Sequence, residues 1–343
     1  MWLDLLGFVL QAVVVVIAIL IVLAGIAALK TRNKSATGTI EVTAVHKKIT
    51  AVADKMRASV LDKTALKQLA KEKKLAAKQN KKNNKDKQSS PAKENRVYLL
   101  EFTGDVKATA ISQLRQSITA ILSVASKGDE VVVKLESPGG FVHSYGLAAS
   151  QLVRIKNAGL TLTICVDKVA ASGGYMMACV ANKIIAAPFA VLGSIGVVAQ
   201  IPNFYKLLKK NDVDVELLTA GDYKRTLTMF GENTDKDREK FIDKLENTHG
   251  LFKNFIRQNR ASLDVDSVAD GDVWYGTDAL EKKLVDAIQT SDEYLLDLAN
   301  NDKQIYRVKY TMPKSFMEKL TSASKNSVIS AVEEVLHKKH SFY

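Results

Sequence analysis

The chain has 343 residues and carries 49 Lys and Arg against 37 Asp and Glu, a formal net charge of +12. Residues 30–95 alone hold 18 Lys and Arg against 6 Asp and Glu, also +12, so everything outside that segment sums to zero. This excludes a uniformly basic body built for nucleic acid, and the five His and two Cys form no cluster with metal-ligand spacing, so no metal and no cofactor is expected.

In chain order, the first element is an apolar run from Leu5 to Leu29, interrupted only by Gln11. At about 1.5 Å per residue it is long enough to cross a hydrocarbon core of roughly 30 Å, which predicts one transmembrane helix. The start, MWLD, lacks the basic residues of a signal peptide, so the run is expected to stay as an anchor. Lys30, Arg32 and Lys34 follow it and Asp4 precedes it, which by the positive-inside rule puts the C-terminal bulk in the cytoplasm. Residues 1–34 are thus read as anchor and basic flank, and 35–95 as a basic juxtamembrane helix with a linker.

Within that second segment Val42, Val45, Ile49, Val52 and Met56 recur at helical spacing, predicting an amphipathic helix that lies on the membrane or on a neighbouring subunit. Its lysines suit anionic headgroups, so residues 30–95 are expected to meet the lipid bilayer. The stretch KEKKLAAKQNKKNNKDKQ has no aromatic residue on which a base could stack, and no nucleic-acid partner is expected. Gln79 to Asn95 is too polar to pack and reads as a flexible linker.

A folded domain is expected from residue 96 to 310, and 311–343 as a tail, helical around Val328 to Leu336. VYLLEF, DEVVVKL and TLTICV are strand-like, while ISQLRQSITAILSVAS and SYGLAASQLVRIKNA are helical. Alternation at this rhythm predicts an α/β fold of βαβ units around a largely parallel sheet, with functional loops beyond the carboxyl ends of the strands. DEVVVKLE runs into a turn, SPGG, whose Gly139 and Gly140 let bare N–H groups approach a ligand. TLTICVD leads to KVAASGGYMMACVA, which sets Ser172 where an apolar strand would give way to a helix, with Gly173 and Gly174 behind it.

A helix N-terminus there would aim free N–H groups at an oxyanion, although a serine in such a place commonly just caps its helix. Ile184 to Ile201 has no charge over 18 residues, but Pro188, Gly193, Ser194 and Gly196 break it, predicting short buried strands and not a second membrane span. LLTAGDYKRTLTMFG places Lys224 in a loop 52 residues after Ser172. A lysine can serve a serine as general base if burial, here expected beside LGSIGVV, lowers its pKa. Cys165 and Cys179 read as small buried hydrophobes. NTDKDREKFIDKLENTHGLFKNFIRQNRASL reads as a long amphipathic helix, and Trp274 and Tyr275 as packing residues.

Together SPGG (Ser137 to Gly140), ASGGY (Ala171 to Tyr175), LGSIGV (Leu192 to Val197) and GDYK (Gly221 to Lys224) resemble the signal peptide peptidase A family of membrane-bound serine/lysine proteases. The anchor and basic stem ahead of them fit one branch of it in particular. The resemblance implies a ββα spiral like that of caseinolytic protease and crotonase. It implies Ser172 as nucleophile, Lys224 as general base, Gly140 and Gly173 as oxyanion-hole donors, and Ser194 as the residue that orients the lysine. It further implies a polypeptide substrate, such as a signal peptide, a homo-oligomer, and a protease domain outside the cytoplasm of a bacterial inner membrane. The charge rule gives the opposite side, and both stay open.

The rival base is His143, three residues past the SPGG turn, which an ordinary place at a helix start explains equally well. Two other functions stay open: a crotonase-type enzyme acting on acyl thioesters, and a catalytically silent membrane scaffold.

Overall fold

A computed structural model describes residues 38–68, 96–221 and 223–312, with eight isolated positions at 7, 14–16, 18, 19, 71 and 75. Most of the expected membrane helix, the linker Gln79 to Asn95 and the tail helix lie outside the described residues. Among the described residues no helix is long and apolar enough to cross a membrane. Residues Ile40–Tyr310 form one compact unit, and 1–39 with 311–343 form another, of which few residues are described.

The fold is mixed α/β. Strand β1 (Thr39–Ala44) leads into helix α1 (Val45–Val60), and the chain then enters β2 (Arg96–Thr103), α2 (Ile111–Val124), β3 (Glu130–Glu136), α3 (Val142–Asn157) and β4 (Thr161–Val166). Next come β5 (Val169–Ala171), α4 (Gly173–Ala178), β6 (Lys183–Ala186), β7 (Val191–Gly193), α5 (Tyr205–Lys210) and α6 (Asp235–Asn259). Strand β8 (Val273–Tyr275), α7 (Gly276–Glu281), β9 (Ala287–Ile288), α8 (Ser291–Asn300) and β10 (Gln304–Thr311) complete it.

Seven strands form one sheet in the order β1-β10-β2-β3-β4-β6-β9, and β5-β7-β8 form a second. From β10 to β9 the ladders are parallel, and β7 with β8 runs antiparallel. Alternation along β2 explains its double burial: Tyr98, Leu100 and Phe102 join the large core with Ile118 and Leu152, while Val97 and Leu99 join Val132, Leu295 and Ile305 on the other face. Each fully buried leucine or isoleucine contributes about 1.5–3 kcal/mol. Ile184 to Ile201 holds the short strands β6 and β7, as its breaks predict.

Two expectations need correction. Val42 lies on β1, not on a helix. The cause is the edge of β10, whose strand partner is β1. Here His46 Nδ1 accepts the Ile305 N–H at 3.1 Å, and Val45 packs into the smaller core. The second half of the apolar seam stays exposed at Val52 and Met56. Also, TLTICV does not give way directly to the Ser172 helix, because β5 intervenes and belongs to the second sheet.

The far end of α6 is tied down by a buried charge. Arg260 is 6% exposed, donates from Nε to the Lys283 carbonyl at 2.9 Å and pairs with Asp286 at 3.0 Å. Asp286 in turn accepts the Ile184 N–H at 2.7 Å, so helix, β6 and the turn before β9 share one ion pair.

Candidate active site

The SPGG turn leaves β3 alongside β5: the Ser137 N–H donates to the Val169 carbonyl at 2.8 Å and the Ala171 N–H to the Ser137 carbonyl at 3.0 Å. Buried side chains lock it from behind. Ser137 Oγ and the Tyr145 hydroxyl lie 2.6 Å apart, Tyr145 donates to the Asp105 carbonyl at 2.8 Å, and the Gly139 N–H donates to Ser137 Oγ at 3.1 Å. Burial raises the Tyr145 phenol above its ordinary pKa, with the Ser137 hydroxyl pulling the other way, so it serves as a neutral donor.

The glycines are there because the turn presses on its neighbour. Gly139 has φ +93°, and a Cβ on it would stand 2.9 Å from Ser172 Cβ and 2.8 Å from the Gly173 nitrogen. A Cβ on Gly140 would overlap the Val106 carbonyl, and one on Gly173 the Tyr145 ring.

Ser172 sits between β5 and α4 with φ +51°, a left-handed conformation that costs a residue with a side chain of order 1–3 kcal/mol. Its hydroxyl does not cap α4, so the ordinary helix-cap role is not the one it plays. The backbone is held instead: the Ser172 N–H donates to the Gly193 carbonyl at 2.8 Å, and the Met176 N–H donates to the Ser172 carbonyl at 2.9 Å. A strained strand-to-helix turn of this kind exposes a serine hydroxyl at the end of a sheet. Among the described residues, neither the Gly140 nor the Gly173 N–H donates to a protein acceptor.

Ser172, Gly140 and Gly173 line one small pocket with Val142, Met176, Gly196, Val197, Thr248 and Phe252. Ser194 is one step from it. The β5–β7 register pairs Ala171 with Gly193, so Ser172 and Ser194 follow paired residues, and Ser194 too has positive φ, +50°. Its N–H donates to the Asp272 carbonyl at 2.6 Å, and the adjoining Ile195 carbonyl lies 3.1 Å from His249 Nε2.

Lys224 and His143 are not brought to this pocket. His143 is exposed and stacks on Phe141, ring centres 5.7 Å apart. Lys224 is exposed as well, which corrects the expectation that LGSIGVV buries it. The reason is that its loop packs elsewhere: the Tyr223 carbonyl accepts from Lys244 Nζ at 3.4 Å, and Lys240 lies over the Tyr223 ring at 5.1 Å, both from α6. Leu217, Leu218 and Phe230 of the same stretch are exposed too.

Cys165 and Cys179 are buried free thiols, and Trp274 packs against the core, while Tyr275 is exposed. Sequence reasoning missed Tyr145, Thr248, Phe252 and His249. Thr248 and Phe252 are four apart on α6, a spacing that shows they share a face but not what that face meets.

With the turn, the pocket and the α/β scaffold in place, the class of protein follows from the sequence families that match. The N-terminal model of peptidase family S49 matches residues 1–152, and the peptidase family S49 model matches residues 154–305. The chain is 56% identical to the probable protease SohB of Haemophilus influenzae over 236 residues, covering 69% of this chain and 67% of that one. It is 56% identical over 228 residues to the probable protease SohB of Buchnera aphidicola subsp. Acyrthosiphon pisum, covering 66% and 68%.

The chain belongs to peptidase family S49 and is a protease. Both of these relatives are of the SohB type. Among solved structures it is similar to the 1510-N membrane-bound stomatin-specific protease, at 14% identity and a TM-score of 0.40, covering 68% of this chain and 99% of that one.

Proposed function

We propose that the protein is a membrane-anchored endopeptidase that uses a Ser172–Lys224 dyad to hydrolyse peptide bonds in signal peptides or other membrane-associated polypeptides. Ser172 Oγ attacks the scissile carbonyl, neutral Lys224 takes its proton and returns it to the leaving amine, and the Gly140 and Gly173 N–H groups hold the oxyanion. Ser194 orients the lysine. The observation that carries this reading is the uncapped, positive-φ Ser172 in one pocket with the two glycines.

Lys224 is exposed in a single subunit, and a lysine becomes neutral near pH 7 only when desolvated. Closure over the loop therefore has to come from the bound polypeptide or from another subunit, and the exposed Leu217, Leu218 and Phe230 around it support a homo-oligomer. The pairs β4/β5 and β6/β7, each divided between the two sheets, support a ββα spiral. The apolar run from Leu5 to Leu29 supports a single-pass anchor in a bacterial inner membrane, with the basic stem against anionic lipid.

The test is labelling with a serine-directed fluorophosphonate probe in detergent. Wild type should label at Ser172 and lose peptidase activity with it. Ser172→Ala should keep its fold, neither label nor cleave, and an active Ser172→Ala enzyme would refute the mechanism.

A further inference from the structure

The amino ends of four neighbouring strands gather an unusual set of first residues: Arg96 opens β2, Glu130 opens β3, Thr161 opens β4 and Lys183 opens β6. With Tyr294 of α8 and Lys303 just before β10, they line a cavity of about 200 Å3. It lies at the opposite end of the parallel sheet from the turn that follows β3 and carries Gly140.

Three cations and one carboxylate face this cavity, and the carboxylate is already engaged. Glu130 Oε1 accepts the Thr163 hydroxyl at 2.6 Å and the Tyr294 hydroxyl at 2.7 Å. Arg96 is held by Asp129 at 3.2 Å, a buried carboxylate that also accepts the Arg96 and Ser126 N–H groups. Lys183 sits 5.0 Å from the centre of the Tyr294 ring, and among the described residues neither Lys183 nor Lys303 has a carboxylate in salt-bridge range. Both lysines are half-buried. An anion carrying two charges complements several cations gathered around one cavity. Thr161 also lines the cavity.

We infer that this cavity is an anion site for a phosphate group, held by Lys183, Lys303 and Arg96, and distinct from the Ser172 pocket. A tetrahedral oxyanion offers enough acceptor oxygens for two ammonium groups and a guanidinium together. It occupies only part of the cavity, so either a free phosphate or the headgroup of an anionic phospholipid meets the same chemistry.

Site-resolved amine acetylation of the full chain in detergent, read by mass spectrometry, tests this against the background of the stem lysines. At matched ionic strength, near-saturating inorganic phosphate in place of chloride should slow modification of Lys183 and Lys303 about tenfold while exposed Lys47 and Lys55 change little. In Lys183→Gln protein, Lys303 should lose that protection. Short-chain phosphatidic acid supplies the second arm. Protection by inorganic phosphate assigns a free anion, and protection by the lipid alone assigns a headgroup. Equal rates in chloride, phosphate and lipid, or slowing spread evenly over all lysines, would overturn the site.

Discussion

Gly173 and Gly146 differ in what a methyl group would meet. On Gly173 it would overlap the Tyr145 ring, which locks the SPGG turn, whereas on Gly146, inside α3, it would meet nothing within 4 Å. Gly173→Ala should therefore cost about 1–3 kcal/mol and most of the activity, while Gly146→Ala should leave activity alone and add roughly 0.5–1 kcal/mol. Urea unfolding and peptide hydrolysis measure both, and equal effects would mean that the turn is not packed as tightly as described. The base is tested by charge. Lys224→Arg keeps a cation that cannot act as a base, so it should be as inactive as Lys224→Ala. Exposed His143 predicts that His143→Ala stays active. An active Lys224→Arg enzyme beside an inactive His143→Ala enzyme would move the base from lysine to histidine.

Helix α6 is positioned at both ends, by a Thr234–Asp237 capping box at its start and by the Arg260–Asp286 pair at its finish. Removing one partner of a buried pair strands the other, so Arg260→Leu should destabilise the fold by about 3 kcal/mol, at the low end of the usual range because Asp286 is a third exposed. Loss of that anchor should also raise KM, because Thr248 and Phe252 ride on the same helix. A urea midpoint equal to wild type would show the pair to be dispensable. The strands and helices from β2 to β4 were legible in the sequence because their periods of two and of 3.6 are clean over full lengths. Strand β5 was not, since three residues carry no period, and β1 was missed because Val42 happens to continue the seam of α1. The same limit hid half of the site. Ser172, Gly140 and Gly173 announce themselves through glycine-rich turns, but the Thr248–Phe252 wall comes from tertiary packing that no local pattern encodes.

For the whole molecule, charge divides the chain into a basic stem and a neutral body, and the body's stability should follow the groups buried inside it. Burial pushes the Cys179 thiol from 9.0 up to about 12, partly offset by Arg260, and burial likewise raises Cys165 and the fully enclosed Tyr175, whose hydroxyl donates to the Leu284 carbonyl at 2.9 Å. Each of these groups is protonated in the fold at a pH where the unfolded chain has already lost the proton. Their folded values lie above the unfolded ones, so their contribution is complete below about pH 9 and shrinks as pH rises toward the folded values. Each such group adds about 1.4 kcal/mol per pH unit to the loss once the unfolded form is ionised. Unfolding free energies measured in urea should therefore be level in this respect up to pH 9 and then fall, with Cys165 and Cys179 contributing first and Tyr175 joining above pH 10. Cys179→Ala should start from a lower stability at pH 8, because it leaves a small cavity, yet decline less steeply between pH 9 and 11. Parallel curves for the two proteins would show that the thiol is not held protonated by the core, and that the interior around α4 admits water.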